Sequence, residues 1–427
     1  MKELFEKILK EINKVKIDSR EIKEGDLFIA LKGEKTHGAI FTDDALKRKA
    51  KFCILPEEFK DKFSKNEKII FVKDTLEFLI NLAKFKREKT RAKIIGITGS
   101  VGKTTTKFMI SHILKNKGKK VYPSPKSYNN LIGVSLTLLN APLDTEFIIQ
   151  EMGINKKGEM EKLSEIVKPH IGILTKIGPS HLEGLESIEN VAQEKSKIFK
   201  YLPSDGFAII NKNSPFYERI ETKANKVFYK LEESNLKWDG KSLIYENEFK
   251  FKIPVPSLGM AENAICALKT AFILKIPIPH NPFEDFKFPE LRMEIKNLNN
   301  SIIILDAYNA NPLSMEDALK SSTFFNKKEK YLFMGDMLEL GKYSEMYHRE
   351  IARILKVKNF NALLTYGEYS RYTSMEAEKL GIYSFHFNEK EKMKEKLIEI
   401  SNKDAVIVIK GSRKMQMETL LEGLNVT

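Results

Sequence analysis

Short apolar runs with abrupt polar ends recur along the chain: Lys93–Thr98, Phe147–Glu151, Ile171–Thr175, Phe207–Asn211, Ile302–Asp306, Tyr331–Asp336, Ala362–Tyr366 and Ala405–Lys410. Several are apolar almost throughout, the pattern of parallel strands buried on both faces. Helical stripes fill the gaps, for example over Met346–Leu355 and Met393–Ser401. Strand and helix in this alternation predict α/β domains with mostly parallel sheets. Met1–Lys10 reads as a charged amphipathic helix and lacks the uncharged apolar core of a secretion signal.

One run leads to specific chemistry. Lys93–Thr98 is followed by Gly99-Ser100-Val101-Gly102-Lys103-Thr104-Thr105, then by a helical pattern at Phe108, Ile110, Ile113 and Leu114. Strand, glycine-rich turn and helix make a phosphate loop, in which backbone N–H groups and a helix N-terminus cradle an anion. Lys103 is expected to reach the terminal phosphates of a nucleoside triphosphate, and the Thr104 hydroxyl to bind magnesium. The strict pattern wants glycine where Ile97 stands; here the glycines are Gly96 and Gly99.

At 427 residues the chain is too long for one core. Lys84–Arg91 reads as a basic connector, and Pro277–Pro289 as a proline-rich link. The expected division is a small α/β domain over residues 1–90, a central phosphate-loop ATPase domain over 91–288 and a Rossmann-like doubly wound domain over 289–427. The net charge of +14 raises nucleic acid as a partner, but the sequence has no reading motif and no basic patch interleaved with aromatics. The lysines are spread along the chain and mixed with Glu, so a solvated surface accounts for most of the charge and anionic small substrates for the rest. No apolar run is long enough to span a membrane. Cys53 and Cys266 lie in apolar or helical surroundings and are expected as buried free thiols of a cytoplasmic protein.

In open α/β sheets ligands collect at the carboxyl ends of strands. Glu151 ends one such strand and is followed by Met152-Gly153, so it reads either as a magnesium ligand beside Thr104 or as a surface acid. His181 lies in the loop after Ile171–Thr175, where a histidine ligates metal, orients substrate or is merely structural. Lys195 falls on the apolar stripe of a predicted helix over Ile188–Phe199, whereas Glu194, Lys197 and Lys200 fall nearer its polar side. A lysine on that face snorkels, pairs or loses its charge, and a neutral amine is a nucleophile that also takes up carbon dioxide as a carbamate. Asp306 ends another strand and runs into Ala307-Tyr308-Asn309-Ala310-Asn311-Pro312; just upstream, Arg292 is either a salt-bridge residue or the cover for a γ-phosphate when domains close.

Taken together, these segments resemble the Mur ligases, the ATP-dependent amide-forming enzymes of peptidoglycan precursor synthesis. The loop Thr98–Thr105 matches the family's phosphate loop, which accounts for the glycine spacing. Asp18-Ser19-Arg20 with Gly25–Ala30 resembles the UDP-binding domain; Ser127–Val134 and Glu151-Met152-Gly153 resemble the central domain. His181-Leu182-Glu183-Gly184 and the helix of Lys195 match the family's metal-binding histidine and carbamylated lysine. Asp306–Pro312, Gly335–Gly341 and Lys410–Arg413 resemble the member that adds D-alanyl-D-alanine to UDP-N-acetylmuramoyl-tripeptide.

The resemblance implies ATP and two magnesium ions as cofactors, those two molecules as substrates, an acyl-phosphate intermediate, and a cytoplasmic monomer. It implies nucleotide contacts from Gly99, Ser100, Gly102, Lys103, Thr104, Thr105, Asn263, Arg292 and Asp306. Metal ligands are implied at Thr104, Glu151, His181 and Lys195, with Lys195 carbamylated, and catalytic roles for Lys103, His181, Lys195 and Arg292. Substrate contacts are implied at Ser19, Arg20, Asn129, Asn130, Tyr308, Asn309 and Asn311. The chain departs from the family pattern at His37-Gly38-Ala39, at Gly259–Ala264 and at Leu291 and Leu305.

Overall fold

The computed structural model describes residues 1–63 and 66–427. It holds four sheets. The first is four-stranded and parallel, in the order Val15–Lys16, Leu27–Ile29, Phe52–Pro56, Ile69–Val72. The second has six parallel strands, ordered Asn225–Tyr229, Phe207–Asn211, Ile171–Leu174, Lys93–Thr98, Phe147–Glu151, Val121–Pro123. A three-stranded antiparallel sheet follows over Leu236–Trp238, Leu243–Glu246 and Lys250–Ile253. The last has six strands: Glu294–Leu298 runs antiparallel to Ser301–Asp306, and Ala405–Lys410, Glu329–Gly335, Ala362–Tyr366 and Tyr383–Phe387 continue in parallel. The α/β class with mostly parallel sheets expected from the apolar runs is the one observed.

Register aims the chemistry. In the central sheet Ile97 pairs with Glu151 and Thr98 with Leu174, so the phosphate loop leaves the sheet between the ends of two neighbouring strands. In the last sheet Asp306 pairs with Lys410, again at the carboxyl ends. Ile94, Ile95 and Ile97 are wholly buried, as are Ile149, Ile173 and Ile407. Continuous apolar runs fill both faces of these sheets, so a register slip would push polar strand ends into the core.

Two expectations change. Lys84–Arg91 is not a connector: the helix Thr75–Lys89 runs through most of it. Its Asp74 side chain caps the first turn, and its basic residues crowd the last turn, where they favour the helix dipole. They are also anchored. Arg87 Nε and Nη2 donate to Val167 O and Lys168 O, each at 2.6 Å, and Lys84 Nζ lies 2.6 Å from Glu165. Glu194, assigned to the polar side of its helix, is buried instead, because its Oε1 accepts from Gly158 N–H at 2.7 Å and Met160 N–H at 3.2 Å. Those N–H groups open the helix Glu159–Val167, so the carboxylate is a helix cap from a distance. The proline-rich link has no helix or strand, yet Phe283 and Phe286 are buried and pack edge-on with Phe251 and His112. Cys53 and Cys266 are buried free thiols, and burial pushes both up to about 12. Among the described residues no helix is long and apolar enough to cross a membrane.

Arg87 ties the first unit to the central one through the C-terminal carbonyls of a neighbouring helix. Arg87→Ala is expected to cost about 1–2 kcal/mol, since charge-assisted bonds at a half-exposed site are lost. Thermal unfolding checks it; an unchanged melting temperature contradicts the anchor.

Candidate active site

The phosphate loop opens where backbone geometry admits only glycine. Gly99 has φ +151° and Gly102 φ +86°; a Cβ on Gly99 would lie 1.8 Å from Thr175 Oγ1, and one on Gly102 2.3 Å from Asn263 Oδ1. Ile97 is still strand, wholly buried, which is why the glycine of the strict pattern is displaced. The loop is held from below. Thr175 Oγ1 donates to Val101 O at 2.6 Å, and Ser100 Oγ donates to Gly178 O at 2.9 Å. Ser100 N–H donates to Lys176 O at 2.8 Å. Ser100, expected at the nucleotide, lies on the cavity wall and spends its hydroxyl and its N–H on carbonyls of the neighbouring segment 176–178.

Around the first turn of the helix Lys103–Asn116 sits a cluster of charge. Thr104 Oγ1 donates to Glu151 Oε2 at 2.9 Å, and Asn129 Nδ2 donates to Glu151 Oε1 at 3.2 Å. Lys107 Nζ lies 3.4 Å from Glu151 Oε2, with both side chains almost wholly buried. From the last sheet's unit Arg292 arrives: its Nη2 donates to Thr104 Oγ1 at 3.1 Å and its guanidinium stacks 4.1 Å over the Tyr308 ring. Lys103 Nζ folds back on Gly99 O at 2.7 Å.

Burial alone would raise the Glu151 carboxyl, but Lys107, Lys103 and Arg292 outweigh it and hold it below its usual range. Burial depresses both Lys103 and Lys107. Arg292 adds to that depression and Glu151 opposes it, so three cations surround one carboxylate and leave an excess of positive charge in a partly desolvated place. An anion of several charges relieves it.

All of these side chains except Lys107 line a cavity of about 930 Å³, with Asn130, His181, Asn263, Asp306, Asn309 and Asn311 also on its walls. His181, in the left-handed region at φ +53°, has Nδ1 2.7 Å from Glu339 Oε2. Burial lowers its pKa more than Glu339 raises it, and Lys195 lowers it further. Lys195 is wholly buried, lies behind the wall, and its Nζ has no hydrogen-bond partner among the described residues. Snorkelling is thus excluded. Burial first, then the charge of Lys103, pushes its pKa well below the ordinary lysine value.

Other expected residues of the cavity wall also hold local structure. Asn130 and Asn311 cap the helices Leu131–Asn140 and Pro312–Ser321, accepting from Gly133 N–H and Ser314 N–H at 2.9 Å each. Asn309 Oδ1 accepts from Ala310 N–H at 2.9 Å. Asp306 pairs with the buried Lys410. Thr105 is buried in the loop helix, and Thr106 Oγ1 donates to Asn263 Oδ1 at 3.2 Å. Ser19 and Arg20 are not on the cavity wall; Ser19 is buried in the first unit and Arg20 reaches out to pair with Asp18 at 2.6 Å.

Sequence reasoning missed Lys107, Glu262 and Glu339. Lys107 is one helical turn beyond Lys103, a spacing that puts both on one face of the loop helix. Glu262 gathers Lys176 at 3.3 Å and Asn213 at 3.0 Å at the far end of the cavity. Glu339 had no local signal, since its partner lies in another part of the chain.

Residues 11–87 match the Mur ligase family catalytic domain, 97–271 the Mur ligase middle domain and 291–413 the Mur ligase glutamate ligase domain. The chain is 31% identical over 430 residues to UDP-N-acetylmuramoyl-tripeptide--D-alanyl-D-alanine ligase of Bacillus subtilis (strain 168), covering 97% of this chain and 93% of that protein. This chain belongs to the Mur ligase family. MurF ligase from Thermotoga maritima in complex with ADP superposes with a TM-score of 0.85 at 26% identity, covering 97% of each chain. MurF from Acinetobacter baumannii shares the fold, with a TM-score of 0.87 at 24% identity over 99% of this chain and 97% of that one. The Mur ligase fold thus sets the carboxyl ends of two six-stranded sheets on one cavity.

Lys195 fixes a stability expectation. An amine whose folded pKa lies below its unfolded value costs stability at low and neutral pH, and the cost fades as pH rises toward about 10.4. Lys195→Met in bicarbonate-free buffer is therefore expected to gain about 1–3 kcal/mol at neutral pH. The gain should shrink as pH rises. A loss of melting temperature at neutral pH contradicts the isolated amine.

Proposed function

We propose that this chain joins the terminal carboxylate of UDP-N-acetylmuramoyl-tripeptide to the amine of D-alanyl-D-alanine, converting ATP to ADP and phosphate. The observation that carries the ligase reading is the bridge from Arg292 to Thr104, which brings a cation from a second unit onto the phosphate loop. The substrate pair is that named for the Bacillus relative. A cytoplasmic setting belongs to the same reading, and the two buried thiols support it.

Both reactants of the first step are anions. Lys103 and Arg292 draw them together and stabilise charge on the transferring phosphoryl group. The carboxylate oxygen attacks the γ-phosphorus and ADP leaves. The amine then attacks the acyl carbon, phosphate departs from the tetrahedral intermediate, and the amine gives up its proton. Walls from two units keep water from the acyl phosphate.

Magnesium suits the site: the Thr104 hydroxyl and the ionised Glu151 are hard oxygen donors side by side. When bound, it would be held by these two residues and would screen the phosphate charges. A second ion would be held by His181 and Lys195, the latter as a carbamate. The buried, unpartnered amine supports that modification, since a neutral amine adds carbon dioxide and releases a proton. The resulting carboxylate would face Lys103, whose charge disfavours the ammonium form.

Phosphate release from the purified enzyme is expected to require ATP, the UDP-linked tripeptide and D-alanyl-D-alanine together. Release with a free amino acid instead would assign the chain to another ligase of the same mechanism. Lys195→Ala should retain less than about one per cent of turnover, the scale expected when a group acts in the transition state, and bicarbonate should not restore it. Heavy-carbon bicarbonate should give a carbamate resonance in the wild type that the variant lacks. Full activity in Lys195→Ala refutes the carbamate.

A further inference from the structure

Lys107 takes no part in the steps above, yet it is buried beside them. Its side chain is wholly buried, which is costly for an amine unless its donors are used. They are used on two carbonyls and one carboxylate. Nζ donates to Ser124 O at 2.9 Å and Lys126 O at 2.7 Å, and it lies 3.4 Å from Glu151 Oε2. Ser124 directly follows the edge strand Val121–Pro123. Lys126 has φ +43°, within a turn closed by Tyr128 N–H to Pro125 O at 3.0 Å. That conformation is unfavourable for a residue with a Cβ, so something must hold it.

The same loop then delivers two side chains to the cavity. Ser127 Oγ hydrogen-bonds the Tyr308 hydroxyl of the last sheet's unit. Asn129 Nδ2 donates to Glu151 Oε1 at 3.2 Å. The loop ends at Asn130, the cap of the next helix.

We propose that Lys107 is a positioning residue for the acceptor substrate. By clamping the carbonyls of Ser124 and Lys126 to the phosphate-loop helix, it fixes residues 124–130 in the shape that the UDP-linked peptide meets. Neither clamped carbonyl belongs to the phosphate loop Gly99–Thr105, so the two ligands respond differently to loss of the clamp. The acceptor half of this inference rests on the ligase reading given above.

Two variants test it. Lys107→Met keeps the length of the side chain and removes its charge and donors; Glu151 then loses a neighbour, and the fold can fail. Lys126→Pro leaves every interior charge in place. Proline holds φ near about −65°, so it cannot keep the left-handed turn that gives Lys107 its second carbonyl. The Lys126 side chain is exposed, so no core contact is lost.

Amide hydrogen exchange over residues 124–130, ADP affinity by calorimetry, and kcat and KM for UDP-N-acetylmuramoyl-tripeptide are measured on the full chain. In both variants exchange should quicken by at least about tenfold and the acceptor KM rise by at least about tenfold, while in Lys126→Pro, which keeps all three cations, ADP affinity moves by less than about threefold. Unchanged exchange in folded Lys126→Pro overturns the clamp. Faster exchange with an unchanged KM overturns its role toward the acceptor, as does an equal loss of ADP affinity in Lys126→Pro. If the wild type does not ligate this acceptor, the ligase reading fails, and the exchange rates still decide whether Lys107 holds the loop.

Discussion

One carboxylate, Glu151, is enclosed with Lys103, Lys107 and Arg292, and the imbalance of charge organises the molecule around it. An isolated ionised carboxylate in such a place would be driven to its neutral form; three cations keep it charged. Those cations in turn are left with more positive charge than one carboxylate balances. Sheet register explains why they can be so close. Glu151 pairs with Ile97, the last buried apolar residue before the loop, so the carboxylate and the loop helix emerge side by side. Attraction to a polyphosphate is therefore built into the fold.

The second unit completes the cluster. Arg292 reaches Thr104, Tyr308 reaches Ser127, and Glu339 reaches His181. Leu313 packs so closely on Gly178 that a Cβ there would lie 2.1 Å from its Cδ1. Asp317 accepts from Ser257 Oγ at 2.7 Å and Gly259 N–H at 3.1 Å, capping the helix that carries Asn263. Apart from Arg292, which leads into the antiparallel first strand, each contact comes from the carboxyl-end loops of one sheet or the helix that follows them. Residues at the carboxyl ends of both six-stranded sheets thus line one cavity.

Legibility in the sequence followed the length of the apolar runs. Lys93–Thr98, Phe147–Glu151, Phe207–Asn211, Ala362–Tyr366 and Ala405–Lys410 are strands with the bounds the sequence implied, because burial on both faces leaves little freedom at either end. Val15–Lys16 and Leu27–Ile29 are too short to carry a period, and the three-stranded insert has mixed faces; neither was read. Lys84–Arg91 misled because basic residues at a helix C-terminus have the composition of a linker. In the site, motif and strand-end position pointed to Lys103, Thr104, Glu151 and Arg292. Lys195 was legible as an oddity, a charge on an apolar stripe. Glu194, on the same helix, was misread because its partners belong to a helix more than thirty residues away in sequence, and periodicity carries no information about such caps. Glu339 was hidden because its partner His181 lies in another part of the chain, and Lys107 because its spacing from Lys103 does not show the carbonyls it meets.

The central claim is that the γ-phosphate is delivered to a carboxylate and not to water. A heavy-oxygen label in the terminal carboxylate of UDP-N-acetylmuramoyl-tripeptide tests it directly. After a single turnover with ATP and D-alanyl-D-alanine, the released phosphate is analysed by mass. The account requires one labelled oxygen in that phosphate, passed on when the acyl phosphate breaks. Phosphate that instead draws its new oxygen from labelled water, with none from the carboxylate, would contradict it.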